Sequence, residues 1–230
     1  MPGTIIVPTT GLIRHTEFAH SLERLVRPEG TRVHYPTSGS VVTNLNRAIR
    51  MLPSEHEWVW LLGDDHVFDP HLLSRLLEHD APIVVPLCAK RSAPYRLVCG
   101  GETTTFDEHT GREYPALEPL ALEDVPAAPF TVELSGTAGM LIRRQVLRAI
   151  GDPWFESTDG LYLNEDFTFC QKARAHGFEI LCDPEAWLGH IGSMRITPGL
   201  HDGELVLKLD YGDPHNPFIL GEQFATVRLG

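Results

Sequence analysis

Apolar residues along the chain alternate between short β-rich runs and longer stripes at helical spacing. Thr4 to Val7 is a first apolar run, stopped by Pro8 and followed by Thr9, Thr10 and Gly11, which predicts a strand with a polar loop at its carboxyl end. Phe18, Leu22, Leu25 and Val26 fall at i, i+4, i+7 and i+8, an amphipathic helix that ends before Pro28 and Gly30. A second strand is predicted over Thr31 to Tyr35. A second helix runs from Val42 to Leu52, where Leu45, Ala48, Ile49 and Leu52 keep the spacing while Asn44, Asn46 and Arg47 lie on other faces. Trp58 to Leu62 is too short for a helix and reads as a strand buried on both faces. A helix opening at Asp69, with Leu72, Leu73, Leu76 and Leu77 on one side, and a strand over Pro82 to Leu87 come next.

Strands alternating with helices of about ten residues predict an α/β fold, a mostly parallel central sheet with helices on both faces. The pattern breaks from Lys90 to Phe130, where Pro94, Pro115, Pro119, Pro126 and Pro129 interrupt short alternating runs. This predicts an excursion with a β-hairpin and long loops, the kind of insertion that carries specificity. Order returns at Thr131 to Leu134, then Ser135-Gly136-Thr137-Ala138-Gly139, then Met140 to Ile142. The small residues let a ligand approach the backbone, or serve a bend in a strand. A short helix over Arg144 to Ile150 leads to a loop carrying Trp154 and Phe155. Asn164 is an N-cap for a last helix, which Gly177 ends. A strand over Phe178 to Cys182 precedes a loop bearing His190 in an apolar setting, and the tail beyond Pro198 has one strand-like run, Leu205 to Leu209. The expected organisation is one domain over 1–197 and a tail over 198–230 that packs on the site or closes over it.

Chemistry concentrates just after the Trp58 strand. Gly63 relaxes the backbone, and Asp64, Asp65 and His66 follow at the carboxyl end of the strand, where open α/β sheets bind ligands. Two carboxylates and an imidazole beside an apolar strand are costly unless a cation or strong hydrogen bonds offset their repulsion. Oxygen ligands with one nitrogen suit Mn²⁺ or Mg²⁺, and such an ion typically clamps a diphosphate. The competing reading is a polar turn capping the next helix.

Composition narrows the partners. The chain has 230 residues and a formal charge of −12, which argues against a general polyanion-binding surface. Cys88, Cys99, Cys170 and Cys182 are widely spaced without a CxxC pair, so they read as reduced thiols. The amino terminus has no basic leader, and no apolar run is long enough to span a bilayer, which suggests a cytoplasmic protein.

GDDHVFDP, SGTAGMLIRRQVL, LNEDFTFCQKARAHGF and PEAWLGHIG, in this order around an α/β sheet, resemble the motifs of family 2-like nucleotide-sugar glycosyltransferases with the glycosyltransferase A (GT-A) fold. The resemblance covers roughly residues 3 to 195. It implies a nucleotide-sugar donor, with a nucleoside diphosphate, UDP for choice, as leaving group. It also implies a divalent metal held by the DDH cluster. Read as DxH, the ligands are Asp64 and His66 with His190 as third; read as a DxD with its first position lost to Gly63, Asp65 is the main ligand. Asp166 takes the place of the base that deprotonates an acceptor hydroxyl for inverting attack, with Glu165 positioning it or the acceptor. At a helix amino terminus Asp166 is expected to be ionised at neutral pH and a weak base.

By the same resemblance Pro8, Thr9 and Thr10 belong to a nucleobase and ribose loop, and Gly136, Thr137, Ala138 and Gly139 line the donor sugar. Asn46, Arg47, Gly63 and Asp64 complete the donor-side candidates. Arg91, Tyr95, Trp154 and Phe155 are acceptor-side candidates, the two last as stacking surfaces. The acceptor hydroxyl belongs to a glycan, a small molecule, a protein or a hydroxymethylated DNA base of the phage type. Net charge disfavours the last, and Arg143, Arg144 and Arg148 supply only part of a basic strip. Two other classes stay open: a nucleotidyltransferase, which should carry a Gly-rich basic signature where this chain has PTTG, and a catalytically inactive nucleotide- or glycan-binding module.

Overall fold

All four residues of Gly3–Ile6 and of Trp58–Leu61 are buried, and the one polar side chain among them, Thr4, is satisfied by His56 at 2.7 Å. The computed structural model describes residues 1–9, 14–37, 39–92, 95–108, 111–157, 165–192, 195–201, 204–210 and 218–220, the last three segments as backbone. In chain order the elements are β1 (Gly3–Ile6), α1 (Thr16–Arg24), β2 (Arg32–His34), α2 (Val41–Arg50), β3 (Trp58–Leu61), β4 (His66–Phe68), α3 (Leu72–Glu78) and β5 (Ile83–Cys88). Then come β6 (Cys99–Asp107), β7 (Arg112–Pro119), a 3-10 turn at Leu122–Asp124, β8 (Phe130–Val132), β9 (Leu134–Ser135), β10 (Leu141–Arg143), α4 (Arg144–Ile150), α5 (Glu165–Ala175) and β11 (Ile180–His190). The last strands are β12 (Arg195–His201), β13 (Glu204–Asp210) and β14 (Phe218–Leu220).

The central sheet runs β2-β1-β3-β10-β5-β11-β4, with β8 also paired to β11. β2, β1 and β3 are mutually parallel, as are β5 and β11; β10 runs antiparallel between β3 and β5. The sheet is therefore mostly parallel in strand direction, with β4, β8 and β10 reversed.

Successive strand residues feed opposite faces. Ile6, Val59, Leu61, Ile83, Val85, Ile142 and Ile180 meet Leu45 and Ile49 of α2, Val146 of α4 and Phe169 of α5. On the other face Ile5, Trp58, Trp60, Val84 and Leu141 meet Phe18 and Leu22 of α1 and Leu72, Leu73 and Leu76 of α3. The excursion is a hairpin, with β6 paired to β7 along its length and to β9 at its base.

Some boundaries differ from the sequence reading. The helix expected at Asp69 begins at Leu72, because Asp69 closes a tight turn, accepting from the backbone N–H of His71 at 2.7 Å and of Leu72 at 3.1 Å. His190 ends a strand instead of lying in a loop: β11 continues past Cys182 through an irregularity between Asp183 and Trp187 and pairs onward with β4. The tail forms a second antiparallel sheet, β12-β13-β14, of which only β13 was legible as a strand. Among the described residues no helix is long and apolar enough to cross a membrane.

Candidate active site and metal centre

The pairing of β4 with β11 sets His66 directly opposite His190, so both imidazoles leave the same face of the sheet. Their rings stack at 4.5 Å between centroids with 26° between planes. Cys88, the last residue of β5, is paired with Leu188, two residues from His190, which puts its thiol on that face too. Gly63 makes the corner possible: a Cβ there would lie 2.6 Å from the His66 ring and 2.7 Å from an Asp65 oxygen.

Each imidazole is held through Nδ1. His190 Nδ1 lies 2.9 Å from the Ala89 carbonyl, and His66 Nδ1 lies 3.2 Å from the Gly63 carbonyl and 3.3 Å from Asp65 Oδ1. Donation from Nδ1 leaves the His66 Nε2 lone pair free, the arrangement that metal-ligating histidines adopt, whereas His190 Nε2 is shared with Asp65 at 3.2 Å. His66 Nε2 is buried and has no hydrogen-bond partner among the described residues. The donor atoms of His66, Cys88 and His190 lie within 4.8 Å of one another. An orphaned imidazole nitrogen grouped with a second imidazole and a thiol is a donor set that a divalent cation fits.

Asp65 ties the cluster to its rim. Its Oδ2 lies 3.2 Å from His190 Nε2 and pairs with the Arg91 guanidinium. Burial opposes ionisation of Asp65, but the hydrogen bond from His190 and the nearby His66 and Arg91 outweigh it and bring the carboxyl down to about 2. Burial pushes His66 below the ordinary imidazole value against the attraction of Asp65, favouring a neutral, ligating ring. Burial also works against charge on His190, where the bonds to Asp65, Cys88 and Ala89 prevail and raise it to about 10.

A cavity of about 420 Å³ opens over this cluster. Pro8, Gly63, Asp64, Asp65, His66, His190, Arg91, Gly136, Thr137, Ala138 and Asp166 line it, bringing most of the sequence-derived candidates together. Asp166 accepts from the backbone N–H of Phe167 at 3.0 Å and from that of Thr137. The expectation that this carboxylate would be fully ionised at neutral pH is corrected: burial first, then the charge of Glu165, push it up to about 7 against those backbone bonds. The helix field is real, but desolvation is the larger effect. Glu165 opens α5 outside the cavity lining and acts on Asp166 through its charge.

Other candidates lie elsewhere. Thr9 is buried, its N–H donating to the Pro36 carbonyl at 3.2 Å, and Thr10 falls outside the described residues, as does Asn164. The Asn46 side chain is used up inside the protein: it donates to the Phe155 carbonyl at 2.7 Å and accepts from the N–H groups of Trp154 and Phe155 at 3.0 Å each. Phe155 is 1% exposed and stacks on Phe169, and Trp154 donates its indole N–H to Leu147, so this pair packs the core and does not present stacking faces. Arg47 is exposed on α2, away from the cavity lining. Tyr95 is 52% exposed beside a separate cavity formed with Pro119 and Leu122. Gly139 serves packing: at φ +72° its carbonyl accepts from Trp60, and a Cβ would lie 2.6 Å from Leu188 and Pro86.

Arg143 and Arg144 lie at the end of the strands opposite the cavity, donating to the carbonyls of Leu77 and His79 and of Pro53 and His56, so they form no basic strip at the cavity mouth. Sequence reasoning missed Cys88, Lys90, Val98 and Leu117 in the lining. For Cys88 and Lys90 the signal was available: they stand at the carboxyl end of the strand next to the one bearing His190.

The glycosyltransferase-like family 2 model matches residues 16–193. The chain belongs to that family. Its fold is similar to a crystal structure of GalNAc-T7 with UDP, GalNAc and Mn²⁺, with a TM-score of 0.54 at 13% identity, covering 82% of this chain. The chain spans 43% of the length of that protein. A structure of S. aureus TarS 1–349 matches over 82% of this chain and 59% of its own, at 16% identity and a TM-score of 0.49. That of A197 from STIV matches over 96% of this chain and all of its own, at 14% and 0.47. No curated protein matches the chain significantly in sequence. The α/β architecture is that of a GT-A glycosyltransferase.

Proposed function

We propose that this glycosyltransferase-family chain moves a sugar from a nucleoside-diphosphate donor, a UDP-sugar, to an acceptor hydroxyl, with Asp166 as general base and inversion at the anomeric carbon. The observation that carries the reading is a carboxyl raised to about 7 in the same cavity as the His66, His190 and Asp65 cluster. A base poised near neutrality suits removal of a hydroxyl proton. Attack by that oxygen forms the new glycosidic bond while the bond to the diphosphate breaks; the proton goes to Asp166 and the electron pair to the diphosphate. Arg91 and Lys90 at the cavity wall offer cationic donors to the leaving group, and Pro8, Val41 and Leu45 offer an apolar wall to the nucleobase.

His66 and His190, with Asp65, would hold a divalent cation, Mn²⁺ being the ion in the GalNAc-T7 structure. Such an ion supplies positive charge against the departing diphosphate. Leu117 and Val98 bring the hairpin and its lead-in to the cavity, which favours the excursion as the acceptor side. The acceptor classes that need no polyanion surface, a glycan or a small molecule, fit the net charge of −12 best.

The test is release of nucleoside diphosphate from a panel of nucleotide sugars with Mn²⁺, Mg²⁺ or EDTA, comparing wild type with Asp65→Ala, Asp64→Ala and Asp166→Asn. Metal-dependent release lost in Asp65→Ala supports the reading and names the donor. Metal-independent turnover, or full transfer activity in Asp166→Asn, would sink it.

A further inference from the structure

We propose that Cys88 is an inner ligand of the metal centre, so that the site favours a thiophilic borderline cation such as Zn²⁺ or Co²⁺ over Mg²⁺ and Mn²⁺. The inference deepens the reading above and depends on it. Cys88 is 3% exposed, and its thiol bonds weakly to the Ala89 carbonyl at 3.6 Å, the same carbonyl that holds His190 Nδ1. The independent observation is His66, 4% exposed, whose buried Nε2 has no partner among the described residues; one ligand atom each of His66, Cys88 and His190 lie within 4.8 Å of one another.

Asp65 adds to the sulfur and does not replace it. Its Oδ1 lies 3.3 Å from Nδ1 of His66, on the far side of that ring from the orphaned atom, and its Oδ2 reaches His190 Nε2 at 3.2 Å while paired with Arg91, so the carboxylate meets the cluster from its rim. Two imidazoles and a thiolate are soft, nitrogen-rich donors of the kind that hold Zn²⁺ with one position left open. Mg²⁺ demands oxygen ligands in octahedral order, which this triad does not supply. The triad lies in the cavity wall, so the open position faces the space where a diphosphate oxygen would enter.

Most nitrogen and oxygen sites also rank Co²⁺ above Mn²⁺, so affinity order alone decides nothing and the sulfur has to be read directly. Metal-free protein is titrated with Co²⁺ alone and with UDP, following d–d bands for binding and the near-ultraviolet thiolate-to-cobalt charge-transfer band for sulfur. Wild type should show both; Cys88→Ser, checked for folding by circular dichroism, should lose the charge-transfer band and bind Co²⁺ at least about tenfold more weakly. X-ray absorption of the Zn²⁺-loaded wild type, which needs no variant, should show a sulfur at about 2.3 Å. Co²⁺ binding without the band, or a shell of only nitrogen and oxygen, overturns the role of Cys88 and leaves the transferase reading standing. Failure of the wild type to bind Co²⁺ or Mn²⁺ even with UDP overturns both.

Discussion

Glu165→Gln tests the ionisation of Asp166 without altering the Asp166 carboxyl itself. Burial and the charge of Glu165 hold Asp166 at about 7, so its base form is half populated near neutrality. One pH unit lower it is about one tenth populated, and transfer that depends on it falls roughly tenfold per unit on the acid side. An unperturbed aspartate would have reached its plateau by about pH 5. Glu165→Gln removes the second of the two upward influences and leaves the first, so the acid limb should move to lower pH without vanishing. The plateau should drop modestly, because a weaker base accepts the proton less readily. The assay is kcat/KM for diphosphate release with acceptor across about pH 5 to 9, at saturating metal with occupancy checked at each pH. That check separates the limb from titration of the ligating histidines, which Glu165 does not face. A flat profile through neutrality, or a limb that Glu165→Gln leaves in place, refutes a burial-raised Asp166 as the base.

The same carboxyl makes a stability prediction. Its folded-state value lies above its ordinary one, so its contribution is fully favourable below about pH 4 and is lost as pH rises through about 7. Asp166→Asn should therefore raise the unfolding free energy in urea more at pH 8 than at pH 5, by on the order of 2 kcal/mol, and an equal gain at both would argue against it. Asn46→Leu strands two N–H groups and one carbonyl of the 154–155 backbone and should cost about 3 kcal/mol or more in urea unfolding; a loss under about 1 kcal/mol would show that the loop repacks. Gly139→Ala combines a left-handed φ of +72° with contacts at 2.6 Å and should destabilise by about 2–3 kcal/mol. Gly136→Ala meets Val98 at 3.4 Å and Asp166 Oδ2 at 3.5 Å, so thermal melting should barely change while transfer activity falls.

Much of this fold was legible because burial writes itself as pattern. Trp58 to Leu61 is apolar at every position since helices cover both faces, and Leu72, Leu73 and Leu76 repeat at helical spacing because only one side of α3 meets the sheet. The DDH run, Asp166 and His190 were found as residue types at strand ends and a helix start. Their ionisation was not, since the desolvation that raises Asp166 depends on what lies over it, and Thr137 is far away in sequence. Asn46 and Phe155 were misassigned for the same reason: their bonds span 109 positions, and an exposed-looking loop turned out to be pinned to the core. Cys88 escaped notice although its place at the carboxyl end of a predicted strand was a signal, because a single thiol carries no spacing pattern and the pairing of β5 with β11 is what puts it beside His190.

Placing β10 between β3 and β5 has a consequence for how the chain is made. Strands β3 and β5 are both made early, with β4 and α3 between them in the chain, yet share no hydrogen bonds, and the gap between them in the sheet is filled only when Leu141–Arg143 arrives. Until then a nascent chain carries two open sheet edges lined with Trp60, Val84 and Ile83, a template for pairing with other chains. Closure waits on contacts of large sequence separation, which slows folding. Truncations that stop before residue 141 should therefore aggregate instead of forming half a domain, and production of this protein should depend on chaperone supply more than its modest size suggests.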